Sequence, residues 1–146
     1  MIALIQRVSE AQVRVDGQLV GAIHRGVLAL IGVQRADTAE AGARLLERML
    51  SYRVFPDAEG RMNLSVREIG GGLLLVPQFT LAADTKKGTR AGFSTAAAPE
   101  AAKRLFTDLL ARAQAAYAPV SAGVFGAFMQ VSLVNDGPVT FWLEVR

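Results

Sequence analysis

Two short stretches hold the side chains best suited to chemistry: Gln78-Phe79-Thr80 and Asn135-Asp136-Gly137-Pro138-Val139-Thr140. In an extended chain Gln78 and Thr80 point to one side and Phe79 to the other, which suits a polar surface and a functional site equally. The hydroxyl of Thr80 needs a base before it can attack anything. The only histidine, His24, is remote from it in sequence, and there is no cysteine. The second stretch lies between Phe128-Met129-Gln130-Val131-Ser132-Leu133-Val134 and Val139-Thr140-Phe141-Trp142-Leu143-Glu144-Val145, runs with the apolar alternation of half-buried strands. An Asn-Asp-Gly turn alone would close an ordinary hairpin, but Pro138 removes a backbone donor where the second strand should begin to pair. Turns collect Gly and Pro for stiffness alone. A Gly-Pro bond is also one whose cis form costs only about 0.5–1 kcal/mol. A cis bond would aim two neighbouring carbonyl oxygens nearly the same way, and such a pair can fix an ammonium group.

A chain of 146 residues fits one domain, 1–146, with a core that needs no covalent staples. Without cysteine there are no disulfides and no thiolate metal sites. A single histidine excludes multi-histidine metal sites, and leaves a Ser-His-Asp triad only if His24 is its base. His24 follows a hairpin pattern and precedes Arg25-Gly26, the setting of a solvated turn residue. No metal and no cofactor are expected. There is no strand-linked G-x-G-x-x-G, no Walker loop and no internal repeat. Gly70-Gly71-Gly72 has neither a lysine nor a helix behind it and reads as a bend. With no apolar leader and no apolar run long enough for a bilayer, the expectation is a cytoplasmic protein without membrane contact. The net charge of +3 and pI near 9.8 are a moderate basic bias, a hint of a polyanionic partner and no more.

The remaining chain supplies elements to position these stretches. Ile2–Val8 and Ala11–Val15 read as strands, and Asp16-Gly17 as a tight hairpin turn into Gln18–Ile23. Gly26–Val33 is continuously apolar, which suits a central strand covered on both faces. Asp37 as cap, with Glu40 three residues on, predicts a helix through about Leu50 whose buried face is Ala41, Leu45, Leu46, Met49 and Leu50. Tyr52–Phe55 and Met62–Val66 read as strands around a Pro56–Gly60 turn. Leu73–Val76 is a strand running on towards Leu81, with Pro77 predicting a bend or an edge. Ala82–Phe93 has no period and is the longest loop, in which Lys86, Lys87 and Arg90 can track phosphates or simply be solvated. Pro99 opens a second helix with the stripe Ala102, Leu105, Phe106, Leu109, Leu110, Ala113 and Tyr117, stopped by Pro119. Many strands and two amphipathic helices predict an α+β domain: an antiparallel-rich or mixed sheet, curled towards a barrel and covered by the helices.

Pro77-Gln78-Phe79-Thr80-Leu81 and Asn135-Asp136-Gly137-Pro138-Val139-Thr140 resemble, in sequence and separation, the two signature motifs of the D-aminoacyl-tRNA deacylases. The likeness covers the whole chain, through Gln6-Arg7-Val8, Arg61–Val66, Ala83-Asp84-Thr85 and Met129–Thr140. It implies that family's fold and a homodimer with shared active sites. It also implies hydrolysis of the ester joining a D-amino acid, or achiral glycine mischarged on tRNA(Ala), to tRNA. Catalysis would rest on Gln78, Phe79 and Thr80. Gly137 and Pro138, with a cis peptide, would enter the partner subunit's pocket and screen out L-amino acids. Arg7 would brace that turn, and Met129 would line the substrate site. Lys86, Lys87 and Arg90 would face tRNA; neither DNA nor a membrane is an expected partner. Departures from the pattern are Pro77 where serine is usual, Ala91-Gly92 after Arg90, and Phe128 where an acidic residue is common.

The lack of a base beside Thr80 favours backbone N–H groups of Phe79 and Thr80 as stabilisers of a tetrahedral oxyanion, with the terminal 2′-hydroxyl of the tRNA helping to activate water. Two alternatives stay open at this level. One is an RNA-binding module without catalysis, expected to bind in a salt-sensitive way. The other is a small-molecule esterase or amidase that uses Thr80.

Overall fold

The computed structural model describes all 146 residues, Met1–Arg146. The chain runs through β1 (Ile2–Val15), β2 (Gln18–Ile23), β3 (Gly26–Gly32), α1 (Ala39–Ser51), β4 (Phe55–Pro56), β5 (Met62–Leu64) and α2 (Val66–Ile69). It continues through β6 (Gly72–Pro77), a 3-10 turn (Phe79–Ala82), α3 (Pro99–Ala116), β7 (Val120–Ala122) and β8 (Gln130–Glu144). No helix is long and apolar enough to cross a membrane.

The two strands expected over Ile2–Val8 and Ala11–Val15 are one long strand, β1, with irregular pairing to β8 around Val8. One edge of β1 pairs antiparallel with β3 and then β2; the other edge pairs antiparallel with β8. The β1–β2 turn is as tight as Asp-Gly predicts, with Asp16 and Gly17 at φ 50° and 77°. Beyond β3 the sheet continues in parallel through β6 to β7, so it is mixed. It curls until β2 meets β7: Ser121 Oγ donates to the Ala22 carbonyl at 3.0 Å. Gly21 permits that approach, since a Cβ there would stand 2.6 Å from the Ala122 carbonyl oxygen. The result is a nearly closed sheet.

Alternation along β3 and β6 divides the apolar residues between two cores. Leu28, Leu74 and Val76 point inward, with Val8, Val13 and Ile23. Val27, Ala29, Ile31, Leu73 and Leu75 point outward under the helices, against Leu45 and Met49 of α1 and Phe106, Leu109 and Ala113 of α3. This two-sided burial is why β3 lacks polar alternation. Burying one such side chain fully contributes about 1.5–3 kcal/mol.

Four local expectations are corrected. Thr38, not Asp37, caps α1, its hydroxyl accepting from Ala41 N–H at 3.2 Å. Asp37 is occupied elsewhere, receiving the buried Met1 ammonium and the Gln34 N–H. The strand expected over Tyr52–Phe55 shrinks to Phe55–Pro56. Met62–Val66 is a strand only to Leu64, because Ser65 and Glu68 form a reciprocal capping box that starts the one-turn helix α2. Finally, the extended run towards Leu81 ends at Pro77. Pro77 itself lies in an interior strand, not at an edge. Its missing N–H costs little because β7 pairs only as far as Leu75, and its Cδ abuts Gly123, just past β7.

Candidate active site

The Asn135–Thr140 stretch is not a hairpin. β8 is a single strand, and the residues on both sides of the motif pair with β1 in the same direction: Asn135 with Val8, and Thr140 with Gln6. Asp136, Gly137, Pro138 and Val139 therefore stand opposite Arg7 alone, as a large bulge. The Gly137-Pro138 peptide is cis, and both residues are exposed. Gly137 has φ 153°, and a Cβ there would lie 2.6 Å from Val139 N and 2.7 Å from Val139 Cγ2. No other residue fits this backbone without a shift.

Arg7 braces the bulge from β1. Its Nε donates to the Asp136 carbonyl at 2.8 Å and its Nη1 to the Val54 carbonyl at 2.8 Å. The Asp136 carboxylate is 3.8 Å away and 56% exposed, so the carbonyl is the main partner. A guanidinium only 14% exposed makes strong charge-assisted bonds to such carbonyls. Val54 was invisible as a partner in the sequence, because it contributes only its backbone oxygen.

At the other site, Gln78 N–H donates to the Ile31 carbonyl at 2.7 Å, and the chain then turns sharply through Phe79–Ala82. The first N–H groups of such a turn have no partner within it, which leaves those of Phe79 and Thr80 available. The Gln78 side-chain amide donates to Thr80 Oγ1. No carboxylate or imidazole bonds to that hydroxyl. Phe79 is 60% exposed, and its ring stands 5.2 Å from that of Phe93. Beside it opens a small pocket of about 20 Å³, lined by Ile31, Pro77, Gln78, Phe79, Ala102 and Phe125, among others. Ala102, Phe106 and Phe125 were not legible as site residues, since pocket walls and core carry the same apolar signal.

Met129 belongs to this second group. Its sulfur accepts from Val124 N–H at 3.4 Å and packs at Gly123, on the same side as Pro77 Cδ and Val76 Cγ1. Lys86, Lys87 and Arg90 project from an exposed loop tied at its base by two Asp84–Gly92 backbone bonds of 2.7 and 2.9 Å. Their side chains form no ion pair or hydrogen bond, so all three charges are free for an anion. A larger cleft, about 270 Å³, is lined by Glu10, Gln12, His24 and Ser132 among others and contains none of the expected site residues.

The two motifs do not meet within one chain. β8, β1, β3 and β6 are successive neighbours, and Pro77 is level with Ile31 and Ala3, several residues along β1 from Arg7. At about 4.8 Å per strand and 3.3 Å per residue, bulge and turn lie roughly 20 Å apart along the sheet.

The sequence matches the model of the D-Tyr-tRNA(Tyr) deacylase family over residues 4–144. It is 67% identical over 145 residues to a D-aminoacyl-tRNA deacylase of Thioalkalivibrio sulfidiphilus, covering 99% of this chain and 97% of that protein. It is 62% identical over 147 residues to the protein of that name in Vibrio cholerae, covering 99% of each. Among solved structures, one named c-Myc DNA Unwinding Element Binding Protein superposes with a TM-score of 0.95 at 37% identity, covering 100% of this chain and 99% of that one. A probable eukaryotic D-amino acid tRNA deacylase shares the fold, with a TM-score of 0.81 at 16% identity over 97% of both chains. With nearly its whole length matched by the family and by relatives at this identity, the chain belongs to the D-Tyr-tRNA(Tyr) deacylase family.

Proposed function

We propose that this chain hydrolyses the ester bond of D-aminoacyl-tRNA, releasing the free amino acid and tRNA in the cytoplasm. Two copies would act together, the Gly137-Pro138 bulge of one reaching the Gln78–Thr80 turn of the other. The observation that carries this is the bulge itself: exposed, braced by Arg7 through a backbone carbonyl, and too far from its own chain's turn to share a pocket with it. Exposed Val134 and Trp142 on the same strand support an apolar contact with a second copy.

In this mechanism the free N–H groups of Phe79 and Thr80 hold the oxyanion, and the neighbouring 2′-hydroxyl of the ribose helps water attack the ester carbon. One such donor accounts for about 3–4 kcal/mol of barrier lowering. Thr80, whose hydroxyl accepts from Gln78 and has no base, shapes the pocket and is not the nucleophile. Carbonyl oxygens of the inserted turn take the α-ammonium, which drives an L side chain into the proline ring. Glycine has no side chain to exclude, so glycyl-tRNA is a substrate too. Lys86, Lys87 and Arg90 contact tRNA phosphates.

Deacylation of one tRNA charged in turn with a D-amino acid, its L-enantiomer and glycine tests this. Turnover of the D and glycyl esters with the L ester spared is expected; equal turnover of D and L would rule it out. Binding of nucleic acid without ester cleavage is the second reading, suggested by the name of the 37%-identical solved structure and by the free basic loop. It predicts tRNA retention with no release of amino acid. Loss of all turnover in Thr80→Ala, with rapid cleavage of free D-amino-acid esters, would instead indicate a small-molecule esterase.

A further inference from the structure

A strand that bulges by this much loses ladder bonds, and something must hold the two ends of the bulge together. Three side chains do so. Asn135 Oδ1 accepts from the Val139 N–H at 2.8 Å, while its Nδ2 donates to Thr140 Oγ1 at 2.9 Å. Gln6 Nε2, from the facing strand, donates to the same Thr140 oxygen at 3.3 Å. One hydroxyl oxygen therefore takes two amide donors, which uses both of its lone pairs.

We infer that Asn135, Thr140 and Gln6 form a clasp that sets the position of Gly137-Pro138, and that these are positioning residues for stereochemical discrimination. The inference rests on the proposed deacylase function and deepens it. Arg7 takes the Asp136 carbonyl on one flank of Gly137-Pro138, and Asn135 takes the Val139 N–H on the other. The turn between them is pinned at both ends, while no side chain of its own chain donates to the Gly137 or Pro138 carbonyl. Arg7 alone leaves the Val139 end free to swing about the Asp136 anchor. Discrimination by exclusion needs a wall that does not move, so freeing that end should admit the L side chain before it abolishes hydrolysis.

The test compares Thr140→Val, which keeps the shape and deletes the hydroxyl, with Thr140→Ser, which restores it, and adds Asn135→Ala and Gln6→Leu. kcat and KM are measured for D-, L- and glycyl-tRNA, alongside hydrogen exchange at the Val139 amide. Thr140→Val and Asn135→Ala are expected to lower the D-to-L ratio of kcat/KM about tenfold and to speed Val139 exchange by a similar factor. Thr140→Ser should restore both, and Gln6→Leu should produce a smaller change of the same sign. A D-to-L ratio unchanged in folded variants, or the same loss for all three substrates, would overturn the inference. Unchanged Val139 exchange would overturn it whatever the enzyme does. Faster Val139 exchange with no wild-type deacylation would uphold the clasp as the turn's anchor and remove the deacylase function instead.

Discussion

Gly137→Ala is the most informative single change. The position combines φ 153° with a Cβ site 2.6 Å from Val139 N and 2.7 Å from Val139 Cγ2. The Val139 side chain can rotate away, but its backbone nitrogen is held by Asn135 Oδ1 at 2.8 Å and cannot. Backbone strain of this kind costs about 1–3 kcal/mol, and crowding adds about 1–3 kcal/mol more. The bulge is exposed, so the chain can relieve most of this by moving the turn while the two cores stay packed. Melting temperature should therefore fall by less than about 6 °C, since roughly 3 °C corresponds to 1 kcal/mol at this size. Displacement of the turn acts where substrates are compared. If 2–4 kcal/mol separates the native turn from the relieved one, D-to-L discrimination falls by about 30- to 1000-fold. Initial rates on matched D-, L- and glycyl-tRNA read this directly, with calorimetry as the folding control. A folded Gly137→Ala protein with wild-type discrimination would refute the reasoning. Asp136→Ala is the matched control: Arg7 uses that residue's carbonyl, so discrimination should change by no more than about twofold.

Phe79→Pro deletes one proposed oxyanion N–H at the first position of the 3-10 turn, where proline's fixed φ is tolerated. It should cut kcat by about 10²–10³ relative to Phe79→Ala, whereas Thr80→Ala should retain measurable kcat. Replacing Lys86, Lys87 and Arg90 together with Gln should weaken tRNA binding and reduce the slope of log affinity against log salt by about 2–3, measured by filter binding. Glu68 is held below the ordinary carboxylate value of 4.5 by its hydrogen bonds to Ser65. A lowered folded value means stability that is present above the ordinary value and lost as pH falls through the folded one. Glu68→Gln should therefore flatten the fall in melting temperature below about pH 4.5, read by thermal scans from pH 6 to 3.

Much of this was legible in the residues, and the failures have physical causes. The Asp16-Gly17 turn, the central apolar strand β3 and the buried stripes of α1 and α3 each follow from local pattern, and all are present. Asp37 misled because a carboxylate that can cap a helix can equally hold an ammonium, and only the fold brings Met1 beside it. The capping box of α2 was readable as Ser65-x-x-Glu68, but its single turn is shorter than any helical period can reveal. The Asn135–Thr140 motif was half legible: Pro138 marks a plain hairpin as altered, but not what replaces it. Strand, turn residues and strand spell a hairpin, yet both flanks bond to one partner, and pairing partners are not written in local sequence. Arg7 was placed by family likeness, but its contact with the Val54 carbonyl needed coordinates.

A tandem-fused dimer tests the shared-site account most directly. With Phe79→Pro in one copy and Gly137→Ala in the other, a site built from both copies leaves one composite centre intact. With both changes in the same copy, no centre is intact. The account predicts about half of wild-type D-selective turnover for the separated pair and its loss for the pair placed together. The opposite result, D-selective turnover when both changes share a copy and only unselective turnover when they are separated, would show that each chain works alone and would contradict it.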